Sequence, residues 1–308
     1  TSFLLKIPAG RYYSDKDKAG VVALLASTLN ESTTERSTEE MSNELQKLGS
    51  SISIYAGTQY LNVNVSTLTK NLDATIALVN EKLLKPAFIP SEFTRNKSNA
   101  IQGAINSKKD ADYLASTAYR QLLQADNIAA TSAQGSEQSL SNITLDDVKS
   151  FYQQQVKPYN SQLIIVSDLK ESTLVKSLNV FATWQGKGEK LALTLTKPDT
   201  KNGVIYLVNK DGASQSAIRI GKRSITQDIM GEYYKSYLMN FTLGGAFNSR
   251  INLNLREDKG YTYGASSYFS AGKTLGRFTA GASVKKEHTY ANGAWGRKLG
   301  CSCCFTWT

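Results

Sequence analysis

Twice along this 308-residue chain a helical period ends at a glycine and gives way at once to a strand period. In the first half Met41, Leu45 and Leu48 recur at spacings of four and three and Gly49 follows. Ile52, Ile54 and, after a break, Leu61, Val63 and Val65 then alternate with polar residues. In the second half a helix over 247–258 closes on Lys259-Gly260, and a hairpin over 261–270 and 275–284 comes next. Apolar residues at helical spacing bury one side of a helix, and a period of two buries one face of a strand. Helix, glycine stop and hairpin in that order predict a helix packed on an antiparallel sheet. Their recurrence predicts an α+β fold of two homologous units, each an antiparallel sheet with helices packed on one face.

The other elements fit around this pattern. Residues 2–8 read as a strand, and Asp17-Lys-Ala-Gly20 opens a largely buried helix running to about Leu29. Ser37-Thr-Glu-Glu40 is a capping box, with Ser at the N-cap and Glu three residues on. A helix over 72–84 ends before Pro86 and Pro90, and 91–124 reads as one long helix or two. A short helix over 145–152 follows a Thr144 cap, and Gln162-Leu-Ile-Ile-Val166 is an apolar strand. Beyond a polar linker near 191–202, containing Pro198, strands are expected at 204–208 and 217–220 and helices at 231–243 and 247–258. The expected division is a first unit over 1–190, a shorter and incomplete second unit over 203–287, and a tail over 288–308. That tail has no helix or strand period and carries all three cysteines, so it is set apart from the fold. Thr1 starts inside an apolar run with no initiator Met, as expected of a fragment of a longer polypeptide.

Composition narrows the chemistry. With 41% hydrophobic and 20% charged residues the chain can build a core. No apolar run approaches the roughly 18 residues of a membrane-spanning helix, so no membrane span is expected. The formal charge of +10 is scattered apart from Lys285-Lys286, so nucleic-acid binding has no support. Most informative is histidine, which occurs once, at His288. That excludes any site built on two imidazoles, including zinc helices of the His-x-x-Glu-His kind and their inverted form. With Cys301, Cys303 and Cys304 as the only cysteines, no disulfide framework holds residues 1–300.

Four segments carry a family resemblance. They are Gly20-Val-Val-Ala-Leu-Leu-Ala-Ser-Thr-Leu-Asn-Glu-Ser-Thr33 with Lys47-Leu-Gly49; Ser139-Leu-Ser-Asn-Ile-Thr144 with Phe151-Tyr152 and Pro158-Tyr-Asn160; Leu243-Gly-Gly-Ala-Phe-Asn-Ser-Arg250; and Leu255-Arg-Glu-Asp-Lys-Gly-Tyr-Thr-Tyr263. Together, and in this order, they resemble the pitrilysin–insulinase family of zinc peptidases (M16). The resemblance is to the heterodimeric branch, in its non-catalytic "inactive domain" subunit, similar to mitochondrial processing peptidase, and it covers about 3–287. It implies the LuxS/MPP-like metallohydrolase fold. The resemblance implies that the family's two zinc histidines and catalytic glutamate fall at Ala23, Ala26 and Ser27, and its third zinc ligand at or beside Gly103. Those side chains neither bind zinc nor act as a general base.

Arg256 and Tyr263 match the pair that, in the family, reaches the zinc site and stabilises the oxyanion as a carbonyl is attacked. From spacing alone they are equally a helix-end Arg and a core Tyr. Gly244, Gly245 and Phe247 are candidates for cradling substrate backbone, the glycines being equally a helix cap. In catalytic relatives the counterpart of Ser51-Ile-Ser-Ile54 binds an extended peptide by strand addition; in this chain it reads as scaffold. The resemblance therefore implies a chain that binds no cofactor itself. Zinc is expected in a zinc-motif M16 partner subunit, and the substrate is expected to be a peptide or unfolded polypeptide. An inert scaffold or peptide-binding subunit of a larger assembly is the alternative. The branch resembled points to a bacterial periplasm or cell envelope. An independent enzyme finds no nucleophile–base constellation in the chain.

Overall fold

The computed structural model describes residues 1–124, 127–188, 204–272 and 275–289. The expected linker at 191–202 and almost all of the expected tail lie outside these residues. The chain divides into two compact units, one of Thr1–Ile105 with Thr131–Thr194 and one of Asn106–Ala130 with Leu195–Thr308. A division by chain order differs from this in Asn106–Ala130, which groups with the second unit.

The first unit is built on a four-stranded antiparallel sheet. Its strands are β1 (Ser2–Ile7), β2 (Ser51–Ala56), β3 (Leu61–Ser66) and β4 (Gln162–Val166), in the order β2-β3-β1-β4. The central pairing runs from Ser2 opposite Ser66 to Ile7 opposite Leu61. This register turns Phe3, Leu5 and Ile7 to the same side as Leu61, Val63 and Val65, and all six are buried. Against them lie α1 (Val21–Leu29), with Val21, Val22, Leu24, Leu25 and Leu29, and α3 (Leu72–Leu84), with Ile76, Val79 and Leu83. The amphipathic α2 (Thr38–Leu48) lies between α1 and α3 in the chain. It starts at the Ser37/Glu40 capping box and ends at Gly49 in left-handed geometry, φ 60°. The 91–124 stretch is two helices, α4 (Pro90–Ser107) and α5 (Ala111–Gln124), of which α5 belongs to the second unit. A short α6 (Glu137–Ser141), α7 (Leu145–Gln155) under a Thr144 capping box, and α8 (Glu171–Leu178) complete the first unit's helices.

The second unit repeats the design with three strands, β5 (Gln215–Ser224), β6 (Thr262–Ala271) and β7 (Gly276–Lys285), in the order β5-β7-β6. This is the topology of β1-β3-β2, and Gly260, at φ 62°, turns into the hairpin as Gly49 does in the first unit. Two helical segments precede the hairpin. The first, α9 (Glu232–Asn240), continues as a π-helical turn over Phe241–Gly245; the second, α10 (Arg250–Asn252), continues as another over Leu253–Asp258. Ile251 and Leu255 seal the core on Ala265, Ala282 and Val284. On the same unit α5 holds β5 and β7. Tyr119 donates to the Phe278 carbonyl at 2.7 Å, the Arg223 guanidinium donates to the Leu123 carbonyl at 2.6 Å, and Asp112 pairs with Arg219.

Two expectations are corrected. Residues 204–208 form no strand: their side chains are exposed and no ladder forms on them among the described residues. Apolar, β-favouring residues become a strand only where a partner takes up their N–H and C=O groups. The helix expected at 247–258 begins only at Arg250, because 246–249 is a turn closed by Ser249 N–H on the Ala246 carbonyl at 3.1 Å.

Candidate functional site

The first unit holds the positions that the family resemblance assigns to zinc. All three on α1 lie within a single helix: Ala26 is buried in the core, Ala23 is half-buried, and the exposed Ser27 hydroxyl bonds back to the Ala23 carbonyl at 3.1 Å. Gly103 sits inside α4, where an added Cβ would meet nothing within 4 Å. Among the described residues no three His, Cys, Asp or Glu side chains gather as a metal would require. The residues here do not fit zinc, whose sites need imidazole, thiolate or carboxylate donors.

The end of α1 is occupied instead by an internal polar network. The buried Lys82 amine donates to the Asn30 carbonyl at 2.9 Å, and burial holds its pKa below the usual range. Asn30 itself reaches across to the outer edge of β2. Its amide nitrogen donates to the Ile54 carbonyl at 2.8 Å, and its oxygen accepts the Ile54 N–H at 3.1 Å. That side chain therefore occupies both backbone groups that an added strand would use at this point of the sheet edge.

The second unit presents the other candidates. Arg256 lies in the π-helical turn after α10, its guanidinium 4.4 Å from the centre of the Phe247 ring. Its Nη1 is buried without a hydrogen-bond partner, 3.5 Å from the Glu257 carboxylate. Phe247 is 70% exposed, at the crest of the 246–249 turn. Tyr263 stands in a β-bulge: the register jumps from Thr262 opposite Val284 to Ala265 opposite Ala282, so Tyr263 and Gly264 together face the single Ser283. The Thr262 hydroxyl secures the bulge by donating to the Ser283 carbonyl at 2.7 Å and accepting the Gly264 N–H at 3.1 Å. A bulge re-aims the side chains it carries, and Tyr263 is 86% exposed, with its hydroxyl unpaired among the described residues.

The structure thus stacks Arg256 on Phe247 and turns Tyr263 to solvent rather than into a core. The glycines depart from the helix-cap reading. Gly244 is buried, and a Cβ on it would overlap Ser267 of β6. Neither Gly244 nor Gly245 takes the left-handed geometry of a cap, and the helix runs through them as a π turn. Asn240, Asn252 and Thr262, which hold this region together, were not singled out from the sequence. The available signal was polar side chains set among Ile251, Leu253 and other apolar neighbours.

Fold and site together define a two-unit α+β protein of zinc-peptidase type whose zinc positions carry no ligands. Residues 1–132 match the insulinase family (peptidase family M16), and residues 142–292 match the peptidase M16 inactive domain. The chain belongs to peptidase family M16. It is 28% identical over 261 residues to the Helicobacter pylori "Non-peptidase homolog YmxG", covering 84% of this chain and 60% of that protein. It is 22% identical over 278 residues to an uncharacterized zinc protease of Rickettsia felis, covering 90% and 66% respectively. The chain thus spans roughly three fifths to two thirds of the length of the curated relatives it matches. A crystal structure of a peptidase M16 inactive domain from Pseudomonas fluorescens superposes with a TM-score of 0.87 at 23% identity, covering 97% of this chain and 73% of that one. A Helicobacter pylori protease does so at 0.82 and 16% identity, covering 92% and 70%.

Proposed function

We propose that this chain is the non-catalytic subunit of a heterodimeric M16 zinc metallopeptidase. A zinc-motif M16 partner subunit supplies the metal and the general base. This chain supplies Arg256 and Tyr263 as donors to the oxyanion that forms when a peptide carbonyl is attacked, with Phe247 beside them for the substrate. The observation that carries the reading is a pairing of opposites. The zinc positions Ala23, Ala26, Ser27 and Gly103 hold no donor set, while among the described residues Arg256 keeps a guanidinium nitrogen with no hydrogen bond, 3.5 Å from the Glu257 carboxylate, and Tyr263 an exposed phenol. Donors without hydrogen bonds inside the chain, one cation and one phenol, are the groups oxyanion stabilisation needs. The proposed substrate is a peptide or unfolded polypeptide, and the proposed compartment is a bacterial periplasm or envelope, which cell fractionation tests.

The purified chain is mixed with the zinc-motif M16 protein of the same organism and peptide hydrolysis is followed. Activity is expected only in the mixture. Arg256→Ala is expected to lower kcat by about 100-fold, the scale of losing one oxyanion donor. An unchanged rate removes Arg256 from the role. A second reading, an inert scaffold subunit, is favoured by the name of the Helicobacter pylori relative, a non-peptidase homologue. A pull-down that recovers no zinc-motif chain supports it.

A further inference from the structure

We propose that Asn252 is the positioning residue that sets Arg256 and Tyr263 in one frame, an assignment that rests on the functional reading above. Asn252 is 4% exposed and spends both ends of its amide on backbone. Its nitrogen donates to the Phe247 carbonyl at 2.7 Å, and its oxygen accepts the Ala265 N–H at 3.0 Å. These partners lie thirteen and five residues away along the chain, and each adjoins one member of the pair.

Phe247 belongs to a turn outside the helical hydrogen-bond ladder, and its ring supports the Arg256 guanidinium. With its carbonyl held, the turn, the ring and the cation above it are held as well. Ala265 is the residue at which β6 resumes its pairing with β7 after the bulge, so its N–H is the anchor point for Tyr263 and Gly264. One rigid, buried amide therefore joins the support of Arg256 to the base of Tyr263. A buried side chain with both polar ends satisfied fixes geometry, because losing either bond leaves a desolvated group unpaired. The Asn240–Ser267 pair on the same strand is also buried, with bonds of 2.6 and 2.7 Å, but it touches neither Phe247 nor the bulge.

The test uses Asn252→Asp, which keeps the shape and the acceptor but cannot donate to the Phe247 carbonyl. In the intact chain, with arginine and backbone nitrogens labelled, the Arg256 Nε–H signal carries the ring-current shift of Phe247. In Asn252→Asp that signal is expected to move toward its position in Phe247→Leu, and the amide signals of Tyr263 and Gly264 are expected to shift with it. Signals of β1 stay in place. A folded Asn252→Asp chain with Arg256 and the bulge signals unmoved overturns the proposal. If Asn252→Asp does not fold, Phe247→Leu alone decides: an unmoved Arg256 signal overturns it.

Hydrolysis in the mixture with the zinc-motif subunit is the second arm. Asn252→Asp is expected to lower kcat about ten- to a hundredfold, the scale of a misplaced catalytic group, with little change in KM. The double variant with Arg256→Ala is expected to lose less than the two single losses multiplied together, since only the placing of Tyr263 is left to lose; fully additive losses overturn the proposal. If Arg256→Ala leaves hydrolysis untouched, the functional reading fails while the resonance arm still decides what Asn252 holds in place.

Discussion

Asn30 does with one side chain what a neighbouring strand would do with a peptide group. It both donates to and accepts from the backbone of Ile54 at the outer edge of β2. Replacing it by Ala removes both bonds and is expected to cost about 1–2 kcal/mol in urea unfolding. The same variant is expected to gain binding of extended peptides at β2, seen as amide shifts over 51–56 that the parent lacks. A parent chain that already shows those shifts refutes the closed edge. Tyr119 carries a pH signature. Burial pushes its phenol up to about 12 while its hydroxyl is bonded to Phe278. A pKa raised in the folded state means the fold holds the proton more tightly than the unfolded chain. Its contribution is whole below about pH 10 and is lost as the pH climbs toward 12. The parent is expected to lose about 2 kcal/mol more than Tyr119→Phe over that window, measured by urea unfolding at a series of pH values.

Among the elements, the two hairpins manage their exposed edges alike. Asn30 closes β2, and Asn252 and Asn240 bond outward-facing backbone of β6, at Ala265 and Ser267. Edge strands left open recruit other chains, and side-chain amides are compact enough to block them one residue at a time. The glycines of the two helical layers offer a sharper contrast. At Gly244 an added methyl would run into Ser267, so Gly244→Ala is expected to destabilise by roughly 1–3 kcal/mol through overpacking. At Gly103 the methyl meets open space inside α4, so Gly103→Ala is expected to stabilise by about 0.5–1 kcal/mol through helix propensity. Denaturant midpoints of the two variants check both signs. A neutral Gly244→Ala would show that the π turn has room to shift. No structural demand explains glycine at 103.

At the scale of the molecule, the two units differ in what they leave exposed. In the first unit the end of α1 is tied up by Asn30 and Lys82; in the second, the Arg256 guanidinium lies over the Phe247 ring beside Glu257, and Tyr263 is exposed. The purified chain, dialysed against micromolar zinc and assayed by elemental analysis, is expected to hold well below one zinc per chain. One tightly held equivalent would overturn the assignment of Ala23, Ala26, Ser27 and Gly103 to the zinc positions. No helix among the described residues is long and apolar enough to cross a membrane.

By itself the sequence determined what is local. The Ser37 and Thr144 caps, the glycine stops at Gly49 and Gly260, the 72–84 helix and both hairpins were legible, because each rests on period, cap or turn chemistry within a few residues. The lack of a second imidazole was legible too, since counting histidines needs no geometry. The 204–208 strand was misread for the same reason in reverse: its local pattern favours a strand, but a strand exists only where a distant segment supplies the ladder. Only the tertiary structure decided that Asn106–Ala130 groups with the second unit, that Asn30 meets Ile54, that Tyr263 stands in a bulge, and that Asn252 joins Phe247 to Ala265. Those contacts depend on which backbone groups the chain path leaves unpaired, and no periodicity in the letters encodes that.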